Sequence, residues 1–247
     1  DGNVIAGRVT EMSVDDLSPG DVVIRNAYSS INYKDALAGL GRNKIIRDYP
    51  RIGGIDLFGT VTESRDPRFK GGDTVVVHGF GVGIDHDGGH AEYARVKGDW
   101  VIPLPEGLTL KEAAVIGVAG YTAALSIHLM ELNGLDPSRG PVVVNGATGG
   151  VASVAIDMLS RRGYSVTAIT GKQDEHDYLR KLGASDILDR LSIESSGKTL
   201  EKPLWAGAVD SLGGEALAWL TRTMRPGGVI AAFVNALGAE LHTTVLP

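Results

Sequence analysis

The chain has 247 residues, enough for one large or two ordinary domains, and its 43% hydrophobic and 22% charged content is that of a globular fold. A formal net charge of −6 argues against nucleic acid as the main partner, and the absence of cysteine excludes a disulfide framework and any thiolate metal site. No apolar run reaches about 18 residues, so no membrane span is expected, and the cysteine-free composition fits a reducing compartment, here the cytoplasm.

Asp1-Gly2-Asn3 has neither the basic nor the apolar region of a signal peptide, and it opens without Met, as a chain starting inside a longer protein would. Residues 1–110 read as a β-rich first domain. Short apolar runs recur at Val22–Ile24, Ile55–Val61, Val75–Val77, Tyr93–Val96 and Val101–Ile102, separated by turn residues such as Ser18-Pro19-Gly20-Asp21 and Lys70-Gly71-Gly72-Asp73. That pattern predicts a small barrel or partly closed sheet. Residues 111–247 read as an α/β second domain. Ala113–Leu132 is rich in helix formers, and strands are expected at Val142–Val144, Val166–Ile169, Asp186–Leu188, Ala208–Val209 and Val229–Phe233. Helices are expected at Gly149–Arg162 and Glu175–Leu182. Apolar strands between amphipathic helices predict a doubly wound parallel sheet; five strands are counted where a complete dinucleotide fold usually has six.

The sharpest motif is Val142-Val143-Val144-Asn145-Gly146-Ala147-Thr148-Gly149-Gly150-Val151-Ala152, a buried strand running through a small-residue turn into a helix. Such a turn lets the backbone approach a pyrophosphate, and the helix start offers N–H groups and a positive dipole end. Ala147, Thr148, Gly149, Gly150 and Val151 are therefore the candidate phosphate contacts, although a plain glycine-rich turn has the same composition. About 20 residues on, NAD-binding folds usually carry an acid for the ribose 2′-hydroxyl. Here the strand ends Thr170-Gly171-Lys172 with no acid, so Lys172 and Thr170 suit a 2′-phosphate, and Arg190 after the third strand can stack on adenine or reach the same phosphate. NADPH is the expected cofactor, and Asn235, past the fifth strand, completes the candidate set.

Several segments together resemble the medium-chain dehydrogenase/reductase superfamily: Ser30–Leu37, Gly54–Val61, Gly117–Ala124, Asn145–Val151 and Lys181–Ala184. More narrowly, Asn32-Tyr33-Lys34-Asp35, Asp66–Lys70, Lys97–Trp100 and Trp205–Ala208 resemble its zinc-free, quinone oxidoreductase-like acrylyl-CoA reductase branch. The resemblance implies a GroES-like catalytic domain and a Rossmann domain, with an initial strand, a last Rossmann strand and a C-terminal return to the catalytic domain outside residues 1–247. It also implies NADPH-dependent reduction of the C=C bond of acrylyl-CoA or a similar short enoyl-CoA. An NADPH:quinone oxidoreductase and a non-catalytic NADPH-binding protein stand as alternatives. A homodimer is left open.

In that family frame Asn32, Tyr33 and Asp35 are the candidate catalytic residues. Asn32 would orient the nicotinamide or its ribose, and Tyr33 would donate a hydrogen bond or the proton. Asp35 reads equally as a helix-start carboxylate and as a group that fixes the site. Related enoyl-thioester reductases carry a catalytic Tyr where Asn43 stands here, which leaves bound water as an alternative proton donor. Arg42, Lys44, Arg47 and Arg51 form a basic loop that reads either as solvated or as a partner for the phosphates of coenzyme A. No metal is expected, since His86 and His90, with Asp85 and Asp87, lack the usual ligand spacing.

Overall fold

The computed structural model describes residues 5–193, 199–233 and 236–244. They divide into two compact units, one ending at Val118 and one beginning at Ala119.

In the first unit the elements run β1 (Val22–Tyr28), α1 (Tyr33–Gly39), β2 (Asp56–Ser64), β3 (Thr74–His78), β4 (Tyr93–Val96) and β5 (Ile102–Pro103). The strands form one antiparallel sheet in the order β4-β1-β2-β3-β5, with register irregularities in β1 after Val23 and after Asn26. Side chains alternate between the faces, as the strand period of two requires. Leu57, Val75 and Val77 pack on one face with Val22, Ile24, Ala94 and Val96. Phe58 and Val76 turn to the other and meet Ala113, with Leu104 and Leu110 beside them. Burying each of the valine, leucine, isoleucine and phenylalanine side chains among them stabilises the unit by roughly 1.5–3 kcal/mol.

Helix α2 (Leu110–Leu132) begins with a reciprocal cap, in which Glu112 accepts the Thr109 N–H at 2.8 Å and the Thr109 hydroxyl accepts the Glu112 N–H at 3.2 Å. It is broken at Gly117, whose φ of 54° and ψ of −164° are non-helical. Against the sequence expectation, α2 is long and apolar enough to cross a membrane. Here its apolar side chains serve as core: Ala113 packs in the first unit, and Ala123, Ile127 and Met130 in the second.

The second unit runs β6 (Val142–Val144), α3 (Gly150–Arg161), β7 (Val166–Thr170), α4 (His176–Lys181), β8 (Asp186–Asp189), β9 (Trp205–Asp210), α5 (Gly214–Thr223) and β10 (Met224–Ala232). All pairings are parallel, in the order β8-β7-β6-β9-β10. This is the dinucleotide-fold order, and the chain's winding reverses between β6 and β9, where such sheets bind ligands at their carboxyl ends. Central strands β6, β7 and β9 are buried throughout, whereas edge strands β8 and β10 are not. Val142 and Val144 face α2 and α3, packing with Ile127, Ile156 and Leu159; Val143 faces α5, with Trp219 and Leu220. The sheet is thus covered on both sides, α5 being a helix the sequence reading passed over.

Candidate active site

In the first unit Asn32 is the N-cap of α1 and Tyr33 its first helical residue. Both oxygens of Asp35 are taken by backbone: one accepts the Asn32 N–H at 2.8 Å, the other the Ile55 N–H at 3.1 Å. Asp35 therefore pins the helix start to the lead-in of β2. Tyr33 is 54% exposed, with its ring on the surface. Beneath lies a polar cluster on Asp56, which is fully buried at the start of β2. One oxygen of Asp56 accepts the Ser30 N–H at 2.7 Å; the other accepts the Ser30 hydroxyl and, at 3.4 Å, the Asn32 amide. The Ser29 hydroxyl donates to the Asp56 carbonyl at 2.8 Å. Across the ladder Asp56 faces His78, whose imidazolium is disfavoured by burial and favoured, to a lesser degree, by the Asp56 charge.

In the second unit the turn after β6 is built for close approach. Gly146 has φ +57°, and a Cβ there would run into the Ser211 hydroxyl. Ala147 is fully buried, and Gly149 precedes the first turn of α3, whose leading N–H groups have no earlier helical carbonyl to bond. The Asn145 side chain crosses the switch point: its amide donates to Asp210 at the end of β9, and its carbonyl oxygen accepts the Ser211 N–H at 2.8 Å. Asp210, fully buried, also accepts the Gly213 N–H at 3.0 Å. The two βα turns that flank the switch point are thereby locked together. At the ends of β9 and β10 a cavity of about 300 Å³ is lined by Asp210, Gly213, Leu217, Phe233 and Leu241, among others.

At the tip of β7, Thr170 is buried and its hydroxyl oxygen accepts the Lys172 N–H at 3.1 Å. Lys172 is exposed. The Arg190 guanidinium lies against Gly171, since a Cβ there would sit 3.1 Å from Nε and 3.4 Å from Cζ. Thr170, Gly171, Lys172 and Arg190 thus come together. Asp189 stands in register with Thr170 and accepts the Leu191 N–H at 2.8 Å.

Residues 18–106 match the alcohol dehydrogenase GroES-like domain. The putative quinone oxidoreductase YhfP of Bacillus subtilis is 48% identical over 244 residues, 98% of this chain and 74% of its own length. Its crystal structure with NAD bound matches 98% of this chain and 74% of that one, with a TM-score of 0.93 at 49% identity. The probable acrylyl-CoA reductase AcuI of Escherichia coli is 47% identical over 247 residues, 100% of this chain and 76% of its own length. The YhdH oxidoreductase of Salmonella enterica in complex with NADP gives a TM-score of 0.94 at 48% identity, over 97% of this chain and 74% of that one. The chain belongs to the medium-chain dehydrogenase/reductase superfamily. Like those relatives it pairs a GroES-like fold with a Rossmann fold, and it is an oxidoreductase.

Within this medium-chain dehydrogenase/reductase the sequence-derived residues fall into three local groups: Asn32, Tyr33 and Asp35 at the start of α1; Ala147–Val151 at the start of α3; and Thr170, Gly171, Lys172 and Arg190 at the ends of β7 and β8. Asn235 lies outside the described residues. The basic loop is smaller than its sequence suggests. Arg51 is turned inward, bonding the Ser18 hydroxyl at 2.9 Å and Asp87 at 3.4 Å, which leaves Arg42, Lys44 and Arg47 exposed. His86 and Asp87 turn to different partners, His86 to the Arg95 carbonyl at 2.8 Å and Asp87 to Ser18, Arg51 and Ile52. Ser30, Asp56, Asn145 and Asp210 escaped the sequence reading. The available signal was a lone acid at each strand end, Asp56 opening an apolar run and Asp210 closing one.

Proposed function

We propose that the protein reduces the C=C bond of acrylyl-CoA or a similar short enoyl-CoA, with NADPH as the hydride source and in the cytoplasm. The observation that carries the cofactor reading is the tip of β7, where the Arg190 guanidinium lies against Gly171 and the next residue, Lys172, is exposed. Such a tip suits a 2′-phosphate. The small-residue turn and the start of α3 fit the pyrophosphate. Thr148, Gly150 and Val151 would hold it, with Ala147 and Gly149 shaping the turn through their N–H bonds to the Ile169 and Gly146 carbonyls, and Thr170, Gly171, Lys172 and Arg190 would hold the 2′-phosphate, with Asn235 further along the cofactor.

NADPH, when bound, supplies the hydride for the β-carbon. The chain's own residues must then do two things: stabilise the enolate oxygen with donors and deliver a proton to the α-carbon. Tyr33 is the exposed hydroxyl at the catalytic segment and serves one of these roles. Asn32 orients the reacting groups. Asp35, with both oxygens engaged by backbone, acts by holding Asn32 and Tyr33 in place. Arg42, Lys44 and Arg47 present three cations to the phosphates of coenzyme A.

Quinone reduction is the second reading, because the Bacillus subtilis relative bears that name. The two are separated by following NADPH oxidation by the full-length protein with acrylyl-CoA, crotonyl-CoA and a simple quinone in parallel. A kcat/KM for acrylyl-CoA at least about tenfold above that for the quinone supports the first reading. The reverse order replaces it with the second.

A further inference from the structure

We infer that Asp56, acting through Ser30, is a positioning residue that fixes which end of the Asn32 side-chain amide meets the reacting groups; this rests on Asn32 acting in the proposed site. Asn32 has a donor end and an acceptor end of nearly the same shape. A carboxylate only accepts. With Asp56 and the Ser30 hydroxyl oxygen below it, Asn32 is held by its Nδ2, which donates to Ser30 Oγ at 3.0 Å and to Asp56 Oδ2 at 3.4 Å. The opposite orientation would set the amide oxygen against a carboxylate oxygen. Oδ1 of Asn32 is therefore turned to the start of α1, where it caps the Asp35 N–H, and its second lone pair is open to accept a hydrogen bond from a ligand.

Three features make this more than incidental packing. Asp56 is fully buried, and its strand neighbours Leu57 and Phe58 are apolar core residues, so an apolar side chain would fill this position at less desolvation cost. Ser30 contributes both its N–H and its hydroxyl to the same carboxylate, so it cannot turn away and release Asn32. The break in α2 at Gly117 closes over the pair: a Cβ there would lie 3.2 Å from Ser30 Oγ and 3.6 Å from Asp56 Oδ2, at a φ of +54°. Gly117 thus closes over Ser30 and Asp56, and the Asn32 amide is the donor in the cluster that belongs to the proposed site.

The test is a double-mutant cycle on the full-length protein, with NADPH and acrylyl-CoA. Asn32→Ala and Asp56→Asn should each lower kcat about tenfold or more, as small misplacements at a reacting centre do, with the NADPH dissociation constant unchanged. The Asn32→Ala/Asp56→Asn double variant should be no slower than Asn32→Ala alone, because the effect of Asp56 passes through Asn32. Should Asp56→Asn fail to fold, Ser30→Ala carries the same comparison, and Ser30→Thr, which restores the hydroxyl, should recover most of the loss. Multiplicative losses in the double variant, or wild-type kcat in Asp56→Asn or Ser30→Ala, overturn the inference. Wild-type kcat in Asn32→Ala instead removes the site reading on which it stands.

Discussion

Removing Lys172 or Arg190 should weaken NADPH and leave NADH almost untouched, and the two losses should differ in size. A charge-assisted contact to a phosphate contributes about 1.5–3 kcal/mol, or roughly 10- to 150-fold in affinity. Lys172 is exposed, so water and salt screen it, and Lys172→Ala should fall at the low end of that range. The Arg190 guanidinium is already set against Gly171, with its Nε 3.1 Å from where a Cβ would stand, so less freedom is lost on binding and Arg190→Ala should fall at the high end. Calorimetric or fluorescence titration with both cofactors, at about 0.05 and 0.5 M salt, measures the losses and their screening. The ratio matters more than either affinity, since the Bacillus subtilis relative was crystallised with NAD and the Salmonella enterica one with NADP. NADPH should bind the unaltered protein at least about tenfold more tightly than NADH. Equal losses for both cofactors would refute the assignment of these cations to the 2′-phosphate.

If Tyr33 supplies the proton or an oxygen donor, Tyr33→Phe should lower kcat by about 10²-fold or more, with little change in NADPH affinity; unchanged turnover would reduce Tyr33 to packing. Gly146→Ala should lose cofactor binding and destabilise the protein by at least about 1–2 kcal/mol, since alanine is strained at a φ of +57° and its Cβ meets Ser211; denaturant melts and an NADPH titration check both. Burial raises the pKa of Asp87, but the Ile52 N–H, the Ser18 hydroxyl and N–H, and Arg51 outweigh it and hold the group below the ordinary carboxylate range. Its stabilisation is therefore full above the unfolded value of about 3.9 and is lost as pH falls through the lower folded value. Asp87→Asn, which leaves Arg51 facing a neutral partner, should cost about 3 kcal/mol at neutral pH and flatten stability below about pH 4, as read from thermal melts across pH.

What could be read from sequence was whatever local patterning encodes. The run from Val142 to Ala152 carries strand, turn and helix within eleven neighbouring positions, and the missing acid after Thr170 is a local fact as well. What escaped depends on partners far apart in the chain. Asp56 looks like an interruption of an apolar strand until folding brings Ser30 and Asn32 to it. Asn145 reads as a turn residue, while its role comes from Asp210, 65 positions away. Arg51 reads as one more loop cation, yet Asp87, 36 positions on, draws it inward. Helix α5 was passed over because it starts at Gly213 and Gly214, at φ +70° and +54°, with no side-chain cap to announce it.

Hydride should reach the β-carbon of an enoyl thioester and a proton the α-carbon. Two reactions decide this, one with acrylyl-CoA and NADPH carrying deuterium at C4 and one with unlabelled NADPH in heavy water. Mass and NMR analysis of the propionyl product should find cofactor deuterium at the β-carbon and solvent deuterium at the α-carbon. Cofactor deuterium at the α-carbon or at a carbonyl carbon would exclude conjugate reduction by this protein.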